Sequence, residues 1–229
     1  MAMKKDELTE LTKDGFEFVI DQIIDNELVQ DIPVVNSAVN LLKLGARTIP
    51  DYFFAKKLDK FLKGLDSVSA KEKEKIKSFA QKDKNAERLC EHLLNSINKA
   101  SDERKADFIA CLFLGYVDGA IDVINFQRAL DVVDNVFIDD LIRFVKEAVS
   151  KDGYFPDDHQ FYNHMPSVFN GSLVMDNREV RSSAHMQKVF ETAEIGSPVP
   201  VKDVFKKMLS PLGRALVDGY MRGQSIRSK

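Results

Sequence analysis

Apolar residues recur at spacings of three and four through the first two-thirds of the chain, the period of one helix face, and that leaves little besides packed helices as a fold. Phe16, Val19, Ile20, Ile23 and Ile24 make the first stripe. Asp31-Ile32-Pro33 interrupts it, and Pro33 suits the first position of a new helix because its missing N–H would be unpaired there anyway. Val35, Ala38, Val39 and Leu42 form the second stripe. Thr48-Ile49-Pro50 repeats the start signal ahead of Phe53, Phe54, Leu58, Phe61, Leu62 and Leu65. Ser69 and Glu72 have capping-box spacing before Ile76, Phe79 and Ala80. Asp83 is the expected cap of a helix with Ala86, Leu89, Cys90, Leu93, Leu94 and Ile97 inward. Ser101 or Asp102 is expected to cap the next, which runs from Ala106 to Val117 with almost no polar face and so should lie at the centre of the core. Gly119 fits its C-terminal cap. Asp122 and Asn135 are expected to cap helices over 123–133 and 136–151, with Gly153 closing the second.

The texture changes at Asp152-Gly153-Tyr154-Phe155-Pro156, after which Pro, Gly, Asn and Ser interrupt the chain every few residues. A short helix over 158–169, a turn at Asn170-Gly171, a strand at Leu173-Val174-Met175, a long excursion to Pro200, and a strand running into a final helix from Ser210-Pro211 follow the order of a degenerate winged helix. The expected architecture is therefore mostly α. An eight-helix bundle fills 1–152, and a small α+β, winged-helix-like segment fills 153–229.

The 33 basic and 36 acidic residues leave a net charge of −3, unevenly spread. From Val201 onward Lys202, Lys206, Lys207, Arg214, Arg222, Arg227 and Lys229 face only Asp203 and Asp218, so this end carries +5 and the rest −8. Such asymmetry suits an anion-facing surface. Lys202, Lys206, Lys207, Arg214, Arg222 and Arg227 are the candidate contacts to nucleic-acid phosphate or another anion. The Lys71–Lys84 run alternates with Glu72, Glu74 and Asp83 and reads as a solvated helix face.

Little else in the chain carries chemistry. Asp157-Asp158-His159 with His164 is the densest ligand set, but the two histidines are five apart and would splay on a helix, so no metal is expected. Cys90 and Cys111 fall in apolar stripes, where a thiol is a small inert hydrophobe. Two cysteines also suit a reducing compartment better than a disulfide scaffold. There is no Gly-x-Ser-x-Gly elbow and no Gly-rich phosphate loop. Asp139-Asp140 are adjacent and read as first-turn residues favouring the helix dipole. No catalytic residue and no cofactor are expected. The longest uncharged run near the N-terminus, Ile32 to Leu42, has 11 residues against the roughly 20 a membrane span needs. With no signal-peptide pattern at the start, the expected location is cytoplasmic. Residues 33–47 remain amphipathic enough for a membrane surface.

Several of these marks together resemble the bacterial abortive-infection alpha-type proteins: Ile32-Pro33-Val34-Val35, the run Phe53 to Leu62, Ser69-x-x-Glu72, Ala106 to Gly119, Phe126 to Asp134, and Leu209-Ser210-Pro211-Leu212-Gly213-Arg214-Ala215-Leu216. The resemblance implies a helical body ending in a winged-helix-like segment with a Ser-x-Leu-Gly helix start. It also implies a bacterial or mobile-element origin and a part in phage defence, and it transfers no site residue. The stretch from Val174 to Pro200 is longer than a compact wing. The expectation is a non-enzymatic binding or adaptor protein with a protein partner, a homo-oligomer among the options. Nucleic-acid binding through the basic end and a membrane-active effector are the alternatives.

Overall fold

The computed structural model describes residues 5–26, 28–29, 33–44, 49–82, 86–150, 153–155, 165, 167–168, 173–176 and 207–228. Among them are helices α1 (Lys5–Ile24), α2 (Pro33–Leu44), α3 (Ile49–Asp66), α4 (Ala70–Lys82), α5 (Ala86–Lys99), α6 (Glu103–Val117), α7 (Val123–Asn135), α8 (Ile138–Ser150) and α9 (Pro211–Arg227). Three short strands lie between α8 and α9: β1 (Tyr154–Phe155), β2 (Val174–Asp176) and β3 (Lys207–Leu209). The protein is mostly α, with eight described helices before the first strand.

The chain divides into two compact units, residues 1–134 with 218–229, and residues 135–217. This differs from the boundary expected at residue 152. Helix α8 belongs with the strands because Phe144 stacks on Phe155, ring centroids 5.7 Å apart. Residues 218–229 belong with the first unit because that half of α9 lies against α6.

Helix ends in the first unit follow from local chemistry. Helix α2 opens on Pro33, and α4 opens after Ser69, whose Oγ accepts the Glu72 amide at 3.4 Å. Asp102 is the N-cap of α6, accepting the Arg104 amide at 2.7 Å, and Asp122 accepts the Asn125 amide at 2.8 Å to start α7. Gly119, at φ +83°, ends α6 in a Schellman motif: its amide bonds to the Tyr116 carbonyl and that of Ala120 to the Gly115 carbonyl. The expected cap at Asp83 lies outside the described residues. Asn135 is not the cap of α8. It is the last residue of α7, and α8 begins at Ile138, where the Phe137 carbonyl takes its first helical bond from Leu141.

Helix α6 is the centre of the first unit, as its composition requires: Phe108 through Gly115 are all buried. Phe113 gathers Phe61 from α3, Phe79 from α4 and Phe126 from α7 around it, with centroids 5.8–6.2 Å apart in tilted or edge-on geometry. Helix α2 buries Val35, Val39 and Leu42 in this core. Phe53 departs from the expected stripe of α3 and is 56% exposed. Its row one turn on is Lys57, whereas the buried row runs through Ala55, Leu58, Phe61, Leu62 and Leu65.

In the second unit the strands form one antiparallel sheet in the order β1-β3-β2, with Phe155 opposite Lys207 and Val174 opposite Leu209. Gly153, at φ +76°, closes α8 by donating to the Ala148 carbonyl at 2.8 Å. The Ser-Pro-Leu-Gly start of α9 has a full local explanation. Ser210 Oγ accepts the Gly213 amide at 2.9 Å, and Pro211 takes the first helical position. A Cβ on Gly213 would come within 2.1 Å of the Leu173 carbonyl oxygen, so only glycine fits. Most of the helix expected over 158–169 lies outside the described residues. Those described within it are 165, 167 and 168, and Val168 is buried.

Candidate functional site

Three polar groupings stand out in the first unit. The first surrounds Asp118, the C-terminal residue of the α6 cap. Lys75 Nζ donates to its Oδ1 and Arg222 Nε to its Oδ2, both at 2.5 Å. Glu72 takes a second bond from Lys75 at 3.2 Å. Burial alone would raise the Asp118 pKa, but the hydrogen bonds from Lys75 and Arg222 outweigh it and hold the carboxyl below its usual range. One carboxylate thereby ties α4 and the C-terminal half of α9 to the end of α6.

The second grouping lies where α9 crosses α6. Cys111 Sγ receives N–H groups from Arg227 Nη1 at 3.0 Å and Gln224 Nε2 at 3.1 Å. Gln224 also donates to the Tyr220 hydroxyl, and Arg227 Nη2 donates to Asp107 Oδ1 at 3.0 Å. Tyr220 stacks on Phe108 with centroids 4.1 Å apart. A thiol, a guanidinium, a carboxylate and a phenol in contact would carry chemistry on an open surface. Here Cys111 is fully buried, and burial, offset only in part by Arg227, pushes its thiol pKa up. Burial opposes the Arg227 charge as well, but the bonds to Asp107 and Cys111 hold its pKa above the ordinary value. This grouping is a neutral thiol in a structural seam. Cys90 is as inert, its pKa pushed up to about 11 by burial.

The third grouping reaches solvent. Phe53 and Lys57 of α3, with residues 100–104 at the corner between α5 and α6, line an open groove of about 670 Å³. Lys57 Nζ donates to the Asn98 carbonyl and, at 3.0 Å, to that of Ala100, so it caps the C-terminal end of α5. Burial lowers the Lys57 pKa. Beside it Lys56 Nζ lies 3.6 Å from Glu103 and 5.4 Å from the centre of the Tyr52 ring. The result is a rigid floor of helix-end backbone under an exposed phenylalanine, with charges of both signs on the rim.

Of the six basic candidates read from the sequence, four are among the described residues, and two of those four are held by carboxylates. Arg222 and Arg227 are paired with Asp118 and Asp107. Lys207 is half-buried on β3, and Arg214 is exposed on α9. Lys202 and Lys206 lie outside the described residues, as do His159, His164 and His185. Among the described residues no group of three His, Cys, Asp or Glu side chains is arranged to hold a metal ion. No helix among them is long and apolar enough to cross a membrane. The pairing of Asp107 with Arg227 had a readable signal, since Asp107 and Cys111 share a helix face, as do Tyr220, Gln224 and Arg227. Nothing in the sequence, however, says that those two faces meet. Comparison with protein-family models, with curated proteins and with solved structures finds no match to this chain.

Proposed function

We propose that the protein is a non-enzymatic binding or adaptor protein that acts by docking another protein. The observation that carries this reading is Phe53, an aromatic side chain left 56% exposed beside the groove at the α5–α6 corner. Fully burying a phenylalanine is worth about 1.5–3 kcal/mol, and the exposed part of Phe53 is the share of this that a partner can still recover. Aromatic anchors of this kind dominate protein interfaces. With the resemblance to abortive-infection alpha-type proteins as its support, the proposal extends to a role in phage defence or a mobile element of a bacterium, acting in the cytoplasm. A photo-crosslinking residue at position 53, in cells that naturally make the protein, is expected to trap a discrete protein partner. Crosslinks to nucleic acid alone, or none, would contradict the reading.

One observation favours nucleic-acid binding as a second reading. The antiparallel order β1-β3-β2, flanked by α8 and α9, is the strand order of a winged helix, and Arg214 and Lys207 sit beside it. Against it, Arg222 and Arg227 have internal carboxylate partners. A membrane-active role for residues 33–47 has less support, because the apolar stripe of α2 is buried in the core.

A further inference from the structure

Helices α5 and α7 run side by side in the same direction. His92 Nε2 lies 3.5 Å from Asp131 Oδ1, and one turn further along Ser96 Oγ donates to Asp134 Oδ2 at 3.4 Å. An open groove of about 490 Å³ lies between the two helices, lined by none of the residues of the Phe53 groove. Its charges are ordered. One turn before the His92–Asp131 contact stands an arginine on each helix, Arg88 on α5 and Arg128 on α7. At the level of the contact stand Glu91 and Asp131. The groove thus has a basic end and an acidic end, separated by one helical turn, about 5 Å. All four side chains are exposed. Among the described residues the side chains of Arg88, Arg128 and Glu91 make no hydrogen bond or ion pair.

A surface with paired bases at one end and paired acids at the other, and no net formal charge, complements its own image turned through 180°. A twofold axis through the groove sets Arg88 and Arg128 of each copy over Glu91 and Asp131 of the other. This is the isologous contact that closed dimers use. A long polyanion meets two carboxylates in the same groove, and a polycation meets two guanidinium groups, so neither is a good occupant. Ile124, 58% exposed and one turn before Arg128, adds apolar area at the edge of the patch. We propose that this groove seats a second copy of the chain, bound antiparallel across a twofold axis. The proposal rests on the reading of the protein as one that works through protein contacts, but it uses a different surface. Exposed ion pairs contribute little each, so the dimer is weak, oriented by charge and sensitive to salt.

Sedimentation equilibrium of the full chain tests this. The wild type is expected to dimerise at low ionic strength and to dissociate at about 1 M salt, where the screening length falls to about 3 Å. The acidic variant (Arg88→Glu with Arg128→Glu) and the basic variant (Glu91→Arg with Asp131→Arg) should each self-associate at least tenfold more weakly. Mixed in equal amounts, they should pair with each other and restore the dimer. Circular dichroism of each variant checks that it is folded. A wild type that stays monomeric at low salt overturns the proposal. So does a dimer indifferent to these substitutions, or a pair of folded variants that fail to associate when mixed. The crosslink at position 53 reads the other surface, so its presence beside a monomeric wild type would overturn the dimer and leave the adaptor reading standing.

Discussion

Gly223 lies where the backbones of α6 and α9 approach most closely. A Cβ there would sit 2.0 Å from the Cys111 carbonyl oxygen, and one on Gly115 would sit 2.1 Å from the Gly219 carbonyl oxygen. Gly219 and Gly223, four apart on one face of α9, are therefore the seat on which α6 rests. Gly223→Ala must push backbone against backbone, which no rotamer change relieves. It is expected to cost about 3 kcal/mol, the upper end of the overpacking range. The urea midpoint should fall accordingly, and a midpoint within error of the wild type would contradict the close crossing. The crossing could not be read from the sequence. Gly-x-x-x-Gly on α9 was visible, but its partner Gly115 lies more than 100 residues earlier, and no local pattern joins the two. Exposure of Phe53 was readable in principle, because its neighbour one turn on is Lys57. Reading Phe53 and Phe54 as one apolar block hid that.

At the scale of elements, helix ends were the most legible part of the fold. Pro33, Ser69, Asp102, Gly119, Asp122 and Gly153 each act within a few residues of themselves, so their chemistry is written locally. Two of the three strands were legible, β2 and the β3 that runs into α9, whereas β1 was not, because a strand of two residues owes its register to partners far along the chain. The clamp at Asp118 belongs to the same non-local class, joining Lys75 and Arg222 across three helices. Its titration has a definite sign. The folded-state pKa lies below the unfolded value of about 3.9, so the clamp's contribution is present above that pH and disappears as pH falls through the folded pKa. Lys75 and Arg222 are both more than a third exposed, and solvent screening keeps the contribution to about 1 kcal/mol. Asp118→Asn should therefore lower stability by about that amount at neutral pH. The gap between wild type and variant should close below about pH 3.9. Chemical denaturation across that range checks it, and a gap independent of pH would exclude the ion pairs as its cause.

For the whole molecule, the uneven charge suggested a basic end aimed at an anion, and the structure gives part of that charge another task. Arg222 and Arg227 anchor the last helix to α6 through Asp118 and Asp107. Helix content and a central α6 followed from periodicity, which is a property of the chain itself. Function did not follow, because periodicity does not say what, if anything, covers an exposed surface. We propose that this protein works by docking proteins and that Arg222 and Arg227 serve the fold. The most direct test is binding of labelled duplex and single-stranded oligonucleotides across about 50–200 mM salt, a range over which phosphate-contacting proteins lose orders of magnitude in affinity. Wild type would be compared with Arg214→Ala. The account predicts no salt-dependent binding by either protein at the lowest salt. Tight binding that weakens steeply with salt, and weakens further in the variant, would contradict it and move the working surface to the sheet and the start of α9.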